Sequence, residues 1–169
     1  LKELDYGKFG EMVHNLDVAP NGNSIIYPKY GYGENQSLLF DIWRYDLRSK
    51  KKRKLTNSLR ANYPKFSPDG ETILFVAHKN SNSQLYIMNS DGTNIRQLTN
   101  YKGDVQIITP AWSPDGKSVA FAKSDDDGFM DLHIYNLEEK SEEQLTNTPD
   151  AEYSPVWNPN GEEISFTGF

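Results

Sequence analysis

Four acidic residues lie close together in this 169-residue chain, and carboxylate clusters of this kind can bind metal ions. Asp125-Asp126-Asp127-Gly128 is followed by Asp131, and calcium takes several carboxylate oxygens from neighbouring positions. An EF-hand loop instead places ligands at every second position before a glycine and adds an acid further on. The spacing therefore favours a solvated hairpin at 125–131, with no bound metal and no other cofactor.

The three histidines, His14, His78 and His133, lie far apart in the sequence. A general base or a metal ligand needs partners that converge on it. The chain contains no Gly-x-Ser-x-Gly elbow, no His-Glu-x-x-His helix motif and no phosphate-binding glycine loop. We therefore expect a noncatalytic chain in which the histidines are structural or exposed.

One basic run, Lys50-Lys51-Lys52-Arg53-Lys54, could contact an anionic lipid, a nucleic acid or an acidic protein. It has no interleaved aromatic residues, and a net charge of −6 works against nonspecific nucleic-acid binding. No apolar run approaches the roughly 20 residues that a membrane span needs. The sequence predicts neither a nucleic-acid partner nor a membrane span.

Because the chain has no cysteine, disulfides and thiolate metal sites are excluded.

A recurring turn shows how the chain is organised. Its four copies are Ala19-Pro20-Asn21-Gly22, Ser67-Pro68-Asp69-Gly70, Ser113-Pro114-Asp115-Gly116 and Asn158-Pro159-Asn160-Gly161. Proline presets φ for a type I turn and glycine supplies the left-handed residue that follows. Repeats of 40 to 50 residues that carry several short strands indicate the blades of a β-propeller.

We expect an all-β propeller of four-stranded antiparallel blades, with strands A to D running outward from the axis. The predicted units are blade 1 at about 13–57, blade 2 at about 62–100, blade 3 at about 109–147 and a half-blade at about 153–169. In blade 2 the strands are expected at 63–66, 72–78, 84–89 and 95–99. About three and a half blades favour a partial domain of a six- to eight-bladed propeller.

Prolines fix the order of the strands. Pro64, Pro110 and Pro155 each lie four residues before a turn proline, inside strand A. Proline lacks an amide donor and is tolerated in a sheet only at an edge. Strand A is therefore predicted to be the edge that faces the central channel. Strand D, the other edge, carries charges that discourage pairing with other chains.

The repeat at 66–99 combines aromatic-Ser-Pro-Asp-Gly with Gln-Leu-Tyr-Ile-Met-Asn-Ser-Asp-Gly-Thr and Gln-Leu-Thr. It closely resembles the Pro-Asp repeat of the TolB-like β-propeller family, whereas the Gly-His and Trp-Asp signatures of WD40 repeats are missing. The resemblance implies a six-bladed disc with a central channel. It also implies a bacterial periplasmic, envelope or secreted location, and a role as a protein-binding scaffold or as a gate over a catalytic domain.

Antiparallel alternation places the B–C and D–A loops together at one end of the blades. This end is the predicted binding surface for a protein or peptide partner, because exposed aromatic and charged loop residues are plausible anchors. The candidate binding residues are Tyr30, Tyr32, Arg60, Tyr101, Lys102, Asp125, Asp127, Phe129 and Glu152. Asn62, Lys65, Thr109 and Glu152 are expected to line the channel.

Two alternatives remain open. The chain could be the gating propeller of a larger prolyl-oligopeptidase-type serine peptidase or another hydrolase. It could also form a homo-oligomer, or belong to a larger parent chain that completes the propeller, because an open half-blade leaves unpaired strand edges.

Overall fold

The computed structural model describes residues 15–32, 37–79, 82–124 and 128–168. These residues form strands and turns without a helix, so none of them belongs to a helix that could cross a membrane. The strands are β1 (Asp17–Val18), β2 (Ser24–Tyr32), β3 (Leu38–Asp46), β4 (Lys52–Lys54), β5 (Ala61–Phe66), β6 (Thr72–Lys79), β7 (Asn82–Asn89), β8 (Arg96–Gln97), β9 (Gln106–Trp112), β10 (Ser118–Ser124), β11 (Met130–Asn136), β12 (Ser141–Gln144), β13 (Glu152–Trp157) and β14 (Ile164–Gly168).

Neighbours in sequence are neighbours in each sheet. The sheets are β1-β2-β3-β4 (blade 1), β5-β6-β7-β8 (blade 2), β9-β10-β11-β12 (blade 3) and the two-stranded β13-β14 (the half-blade). All adjacent strands are antiparallel. This arrangement confirms the all-β partial propeller with about three and a half blades. The predicted start of the first strand at Val13 and His14 lies outside the described residues.

The recurring turn closes strand A onto strand B as its residue types predict. Gly70 and Gly116 have φ values of +75° and +71°, in the left-handed region that favours glycine. The Gly70 amide donates to the Ser67 carbonyl over 2.8 Å. The Ser67 hydroxyl accepts from the Thr72 amide over 3.0 Å and donates to Asp69. The same serine-to-aspartate bond holds the turn at 113–116, where Ser113 donates to Asp115 over 2.6 Å.

Strand A contains a bulge at the proline. The residues five positions before the turn proline share a positive φ: Asn15 (70°), Tyr63 (52°), Thr109 (50°) and Ser154 (54°). The register with strand B shifts at the corresponding points in blade 2, blade 3 and the half-blade. The bulge lets the strand continue past the proline, so β5 begins at Ala61 and β9 at Gln106, earlier than the predicted 63 and 110. Both strands are sheet edges, as predicted.

The hydrophobic core lies between the blades. One cluster joins blades 1 and 2 around Ile26, Ile42 and Phe75, and a second joins blades 2 and 3 around Leu74, Val119 and Phe121. All six side chains are fully buried. Blade 2 therefore contributes one face to each cluster, which is why a repeat depends on its neighbours for stability.

Candidate protein-interaction face

The B–C hairpins and the D–A crossings leave the blades at the same end, because successive strands run in opposite directions. We call this end the loop face. It comprises the hairpins β2–β3, β6–β7 and β10–β11 and the crossings at 55–60, 98–105 and 145–151. The tight Pro-Asn/Asp-Gly turns lie at the opposite end.

The β2–β3 hairpin presents an apolar patch at the loop face. We expected Tyr30 and Tyr32 in a loop, but β2 continues through Tyr32 and β3 begins at Leu38, because these apolar residues pair across the two strands. Tyr32 lies opposite Leu38, and Tyr30 lies opposite Phe40 with 3.7 Å between the ring centroids. Tyr32 is 70%, Leu38 57% and Tyr30 39% exposed. These four residues form the hairpin patch.

The hairpin patch continues the side of blade 1 that packs on blade 2. Side chains two residues apart in a strand share a face, so Tyr30 and Tyr32 lie on the same face as the buried Ile26. Across the sheet, Leu38 and Phe40 lie on the same face as the buried Ile42. The patch is the part of this apolar face that extends beyond the core. Gly33, Glu34 and Asn35, which we placed in the same loop, lie outside the described residues.

On the β10–β11 hairpin, Phe129 is exposed, whereas Asp125 and Asp127 lie outside the described residues. Asp131 is buried and accepts hydrogen bonds from Gln144, Thr146 and the Thr148 amide. Its carboxylate is thus used within the blade. Within the described ranges, no group of three or more His, Asp or Glu residues could hold a metal ion.

A repeated hydrogen-bond pair holds the D–A crossings. Strand C has a buried Asp41, Gln84 or Asp131 near its beginning, and each accepts from a threonine fifteen residues later: Thr56, Thr99 or Thr146. The hydroxyl of the same threonine also accepts a hydrogen bond from a strand C backbone N–H, that of the residue directly after Asp41, Gln84 or Asp131. In the sequence these threonines lie in a repeated Leu-Thr-Asn at 55–57, 98–100 and 145–147, but their strand C partner was not predicted. The constant spacing is the signal that would have identified it.

Arg60 and Lys102 are exposed in the crossings, at either end of blade 2. Burial, followed by the charge of Arg60, lowers the pKa of His78. His78 Nδ1 lies 3.3 Å from the Ser83 hydroxyl, but Ser83 is fully buried, so this pair is not open to a substrate. Lys102 donates to Asn100 over 3.3 Å. Arg60 is thus an exposed cation beside a titratable neighbour.

Tyr101 is half-buried in a polar cluster between blades 2 and 3. Its hydroxyl donates to Glu142, and the Lys123 ammonium lies 4.8 Å from its ring centroid. Lys123 Nζ and His133 Nδ1 lie 2.6 and 2.8 Å from Glu142 Oε1. Burial opposes ionisation of Glu142, but the hydrogen bonds from His133, Lys123 and Tyr101 outweigh it and lower its pKa to about 2. Burial and the contact with Glu142 raise the pKa of Tyr101.

Glu152 is buried rather than presented to the loop face or the channel. Its carboxylate accepts from the Thr148 hydroxyl over 2.5 Å and from the Thr146 hydroxyl over 3.1 Å. These bonds fix the crossing into the half-blade. Among the predicted binding residues that the structure describes, Tyr30 and Tyr32 are brought together as an exposed pair.

The A strands surround an open cleft of about 550 Å³ along the axis. Lys65 and Thr109 line it as expected, whereas Asn62 and Glu152 are not among its lining residues. The bulge interrupts the two-residue alternation on which that expectation depended. Trp112 and Trp157 donate their indole N–H groups to Lys65 and Ala111 carbonyls of the preceding blade. These two hydrogen bonds therefore join the A strands of neighbouring blades in the wall of the cleft.

Comparisons with known proteins agree with this architecture, although no family model matches the chain. The Tol-Pal system protein TolB of Alcanivorax borkumensis is 28% identical over 96 residues, covering 56% of this chain and 22% of that protein. The uncharacterized peptidase YuxL of Bacillus subtilis is 34% identical over 110 residues, covering 63% and 16%. The chain thus spans about a fifth of the length of these curated relatives.

The crystal structure of TolB from Acinetobacter baumannii superposes with a TM-score of 0.73 at 25% identity. It covers 91% of this chain and 37% of that one. The structure of putative TolB from Agrobacterium tumefaciens superposes with a TM-score of 0.69 at 24% identity and covers 90% of this chain and 57% of that one. In sequence and in fold, this chain is therefore similar to TolB-like β-propellers.

Proposed function

We propose that this chain is a noncatalytic propeller scaffold that binds a protein or peptide partner through the loop face. The observation that carries the proposal is the hairpin patch, in which Tyr30, Tyr32, Leu38 and Phe40 share one side of a projecting hairpin. Exposed apolar residues that are contiguous, rather than scattered, mark interaction sites. The similarity to a Tol-Pal system protein supports a bacterial periplasmic or envelope setting.

The physical character of the patch suits a protein partner. Tyrosine is enriched at the centres of interfaces because it offers a large contact area at a small entropic cost. The contact between the Tyr30 and Phe40 rings holds part of the patch in place before binding. Burial of a Tyr or Leu side chain contributes roughly 1.5–3 kcal/mol at about 25 cal/mol per Å². Burial of two such side chains therefore contributes enough free energy for partner binding to be detectable.

Site-specific photocrosslinking tests this proposal. A photoreactive phenylalanine derivative is placed at position 32 or at position 47, and the protein is incubated with an envelope extract of its source organism. Leu47 is the control because it is also exposed and apolar but lies in the C–D turn at the opposite end. We expect a discrete adduct from position 32 that is lost in the Leu38→Ser variant. Equal adducts from positions 32 and 47, or none from position 32, would refute the proposal.

A second candidate function is the gating propeller of a larger serine peptidase. The similarity to the peptidase YuxL favours it. The parent reading frame distinguishes the two, because a hydrolase domain encoded after the propeller would support the gate. On the scaffold proposal, we expect the purified chain to show no turnover of peptide or ester substrates. Turnover that is abolished by substitutions in the hairpin patch would contradict the noncatalytic role.

A further inference from the structure

An apolar cleft of about 470 Å³ lies between the outer parts of blades 1 and 2. We call it the outer cleft, and it is lined by Lys54, Leu55, Thr56, Asn57, Leu59 and Ile95. Both blades contain all four strands, so the cleft lies between complete repeats, and it shares no residue with the hairpin patch. Its volume is within the range of roughly 300–1,000 Å³ that is usual for ligand pockets.

The interface between blades 2 and 3 shows what fills the equivalent place when the chain itself supplies a side chain. Ile95 lies two residues before the strand D residue that pairs with Tyr86, and Glu142 lies two residues before the one that pairs with His133. Because Tyr86 and His133 each stack on the buried phenylalanine of their own blade, Ile95 and Glu142 are equivalent. Between blades 2 and 3, the hydroxyl of Tyr101 donates to Glu142. The crossing at 55–60 contains no aromatic residue, so the outer cleft has room for a side chain from elsewhere.

The residues that line the outer cleft favour an apolar anchor. Leu55 is buried, Leu59 packs against the core between blades 1 and 2, and Ile95 is 40% exposed. Among the lining residues that the structure describes, none is a carboxylate that could accept from a tyrosine hydroxyl as Glu142 does. A Phe, Leu or Ile side chain therefore suits the cleft better than Tyr.

A basic segment borders the cleft. Residues 50–54 are all Lys or Arg in a chain whose net charge is −6, and Lys54 lines the cleft. Arg53 is exposed and pairs with Arg44, which in turn pairs with Ile26 of the core between blades 1 and 2. Residues directly opposite each other share one face of a sheet. Arg53 therefore lies on the side of blade 1 that faces the cleft.

Three carboxylates partly offset these five cations. Lys54 Nζ lies 2.9 Å from Asp41 Oδ2, the charges of Arg53 and Asp91 interact across the interface, and Asp46 ends β3 before the C–D turn. The cations still outnumber the acids, so the potential beside the cleft is positive. A positive potential attracts an acidic ligand and disfavours a basic one.

We propose that the outer cleft binds an acidic peptide segment of another protein, with an apolar side chain in the cleft and Asp or Glu residues on either side of it. The apolar anchor occupies the place that Tyr101 has between blades 2 and 3. The carboxylates of the peptide lie beside Arg53 and the neighbouring lysines. In such an interface the buried anchor supplies most of the affinity, and the charges at the rim supply specificity.

Fluorescence anisotropy with three labelled synthetic peptides tests the proposal. The probe is Gly-Glu-Glu-Phe-Glu-Glu-Gly, and the controls replace its Phe with Ala or its four Glu residues with Lys. The measurements are made at an ionic strength of about 0.15 M, where the Debye length of about 8 Å limits the effect of distant charges. We expect saturable binding of the probe and at least tenfold weaker binding of both controls. Absence of saturable binding, or equal binding of the three peptides, would overturn the inference.

Variants of the protein locate the binding site. Ile95→Glu places in blade 2 the residue type of blade 3 and should weaken binding at least tenfold, and Arg53→Glu should weaken it at least fivefold. Arg96→Glu is the matched control, because Arg96 is exposed but pairs with Ile87 of the core between blades 2 and 3. Arg96→Glu should change binding less than twofold, and equal effects of Arg53→Glu and Arg96→Glu would refute the location.

Two further outcomes separate this inference from the alternatives. Tyr32→Ala, in the hairpin patch, should leave probe binding unchanged, so the test is independent of the loop-face proposal. Sedimentation of the protein without peptide should show no self-association that depends on Ile95. A dimer that Ile95→Glu dissociates would overturn the inference, because a second copy of the chain would then occupy the outer cleft.

Discussion

The interface between blades 1 and 2 and the interface between blades 2 and 3 occupy equivalent places in the repeat but are built differently. Both contain a buried Phe, Phe75 or Phe121, stacked on a ring of strand C. Further out, blades 1 and 2 enclose a cleft of about 470 Å³ lined by Leu55, Leu59 and Ile95, among others. In the corresponding outer part of the interface between blades 2 and 3, the cluster of Tyr101, Lys123, His133 and Glu142 takes the place of this cleft.

The difference follows from a few substitutions within the repeat. Ala77 and Ile95 of blade 2 correspond to Lys123 and Glu142 of blade 3, and Tyr86 corresponds to His133. The backbone amides of Ser58 and Tyr101, which each follow the crossing threonine by two residues, both donate to the polar residue of strand C. The side chains of Leu59 and Tyr101 pack against the cores of the first and the second interface. Both interfaces therefore contain the backbone hydrogen bond to strand C and a buried phenylalanine ring, whereas the residues in their outer halves differ.

The largest expected effect tests what the two interfaces share. Phe75→Ala and Phe121→Ala should each lower the free energy of unfolding by about 3–5 kcal/mol, since each removes a fully buried ring. Phe166→Ala should cost less than about 1.5 kcal/mol, because half of that ring is already exposed. Urea unfolding measures all three, and Phe→Leu at each site gives a graded series if an alanine variant does not fold. Equal losses at all three positions would contradict the comparison.

Next in size is the effect of the polar cluster. Glu142→Ala removes the acceptor of three donors and should lower the free energy of unfolding by about 2 kcal/mol. Ile95→Ala, at the corresponding place in blade 2, should cost less than about 1 kcal/mol because Ile95 is exposed. Replacement of both Glu142 and Lys123 by leucine should recover part of the loss. If Ile95→Ala costs as much as Glu142→Ala, the cluster adds nothing to its interface.

We expect acid to weaken the interface between blades 2 and 3 more than the interface between blades 1 and 2. The folded pKa of Glu142, about 2, lies below the ordinary value near 4.3. Its contribution to stability is therefore complete above about pH 4.5 and is lost as the pH falls toward 2. Asp69 and Asp115 also have lowered pKa values, chiefly through hydrogen bonds from Ser67 and Ser113, and weaken the fold in the same range.

The contribution of Glu142 is isolated by the Glu142→Gln variant. Urea midpoints measured between pH 7 and pH 2.5 should fall more steeply for the parent protein than for this variant. Parallel curves for the two proteins would show that the carboxylate carries no acid sensitivity.

The smallest expected effect concerns the recurring turns, which differ in how closely the turn glycine approaches the proline of the preceding blade. A β-carbon on Gly70 would lie 3.2 Å from Pro20 Cδ of blade 1, whereas one on Gly116 would lie 3.6 Å from Pro68 Cδ of blade 2. Gly22 has a similar positive φ with nothing within 4 Å of such an atom. Glycine-to-alanine changes should cost about 1 kcal/mol at Gly22 and Gly116 from the left-handed backbone alone. Gly70→Ala should cost a few tenths more in thermal or urea unfolding, and equal losses at Gly70 and Gly22 would refute the close contact.

Local chemistry made much of the fold predictable. In the Pro-Asp-Gly turns, proline restricts φ and glycine permits the left-handed conformation wherever they occur. The strand A prolines identified the channel edge because proline cannot donate a hydrogen bond. The exact ends of strand A could not be predicted, because the bulge at Tyr63 and Thr109 depends on pairing with strand B. The role of Tyr101 was missed because its partner Glu142 lies 41 residues further along the chain. Glu152 has a local partner, Thr148, but its burial depends on packing of β13 against blade 3.

By itself, the sequence determined the period of the repeat, the order of the strands and the end of the blades at which the variable loops emerge. These features depend on residues close together in the chain, where steric limits on φ and the alternation of strands act directly. Only the tertiary structure decided that Tyr30, Tyr32, Leu38 and Phe40 form one exposed patch and that Glu142 is an interblade acceptor. The exposure of the patch depends on how far the packing between blades 1 and 2 extends along the hairpin, and Glu142 meets Tyr101 only because the blades pack together.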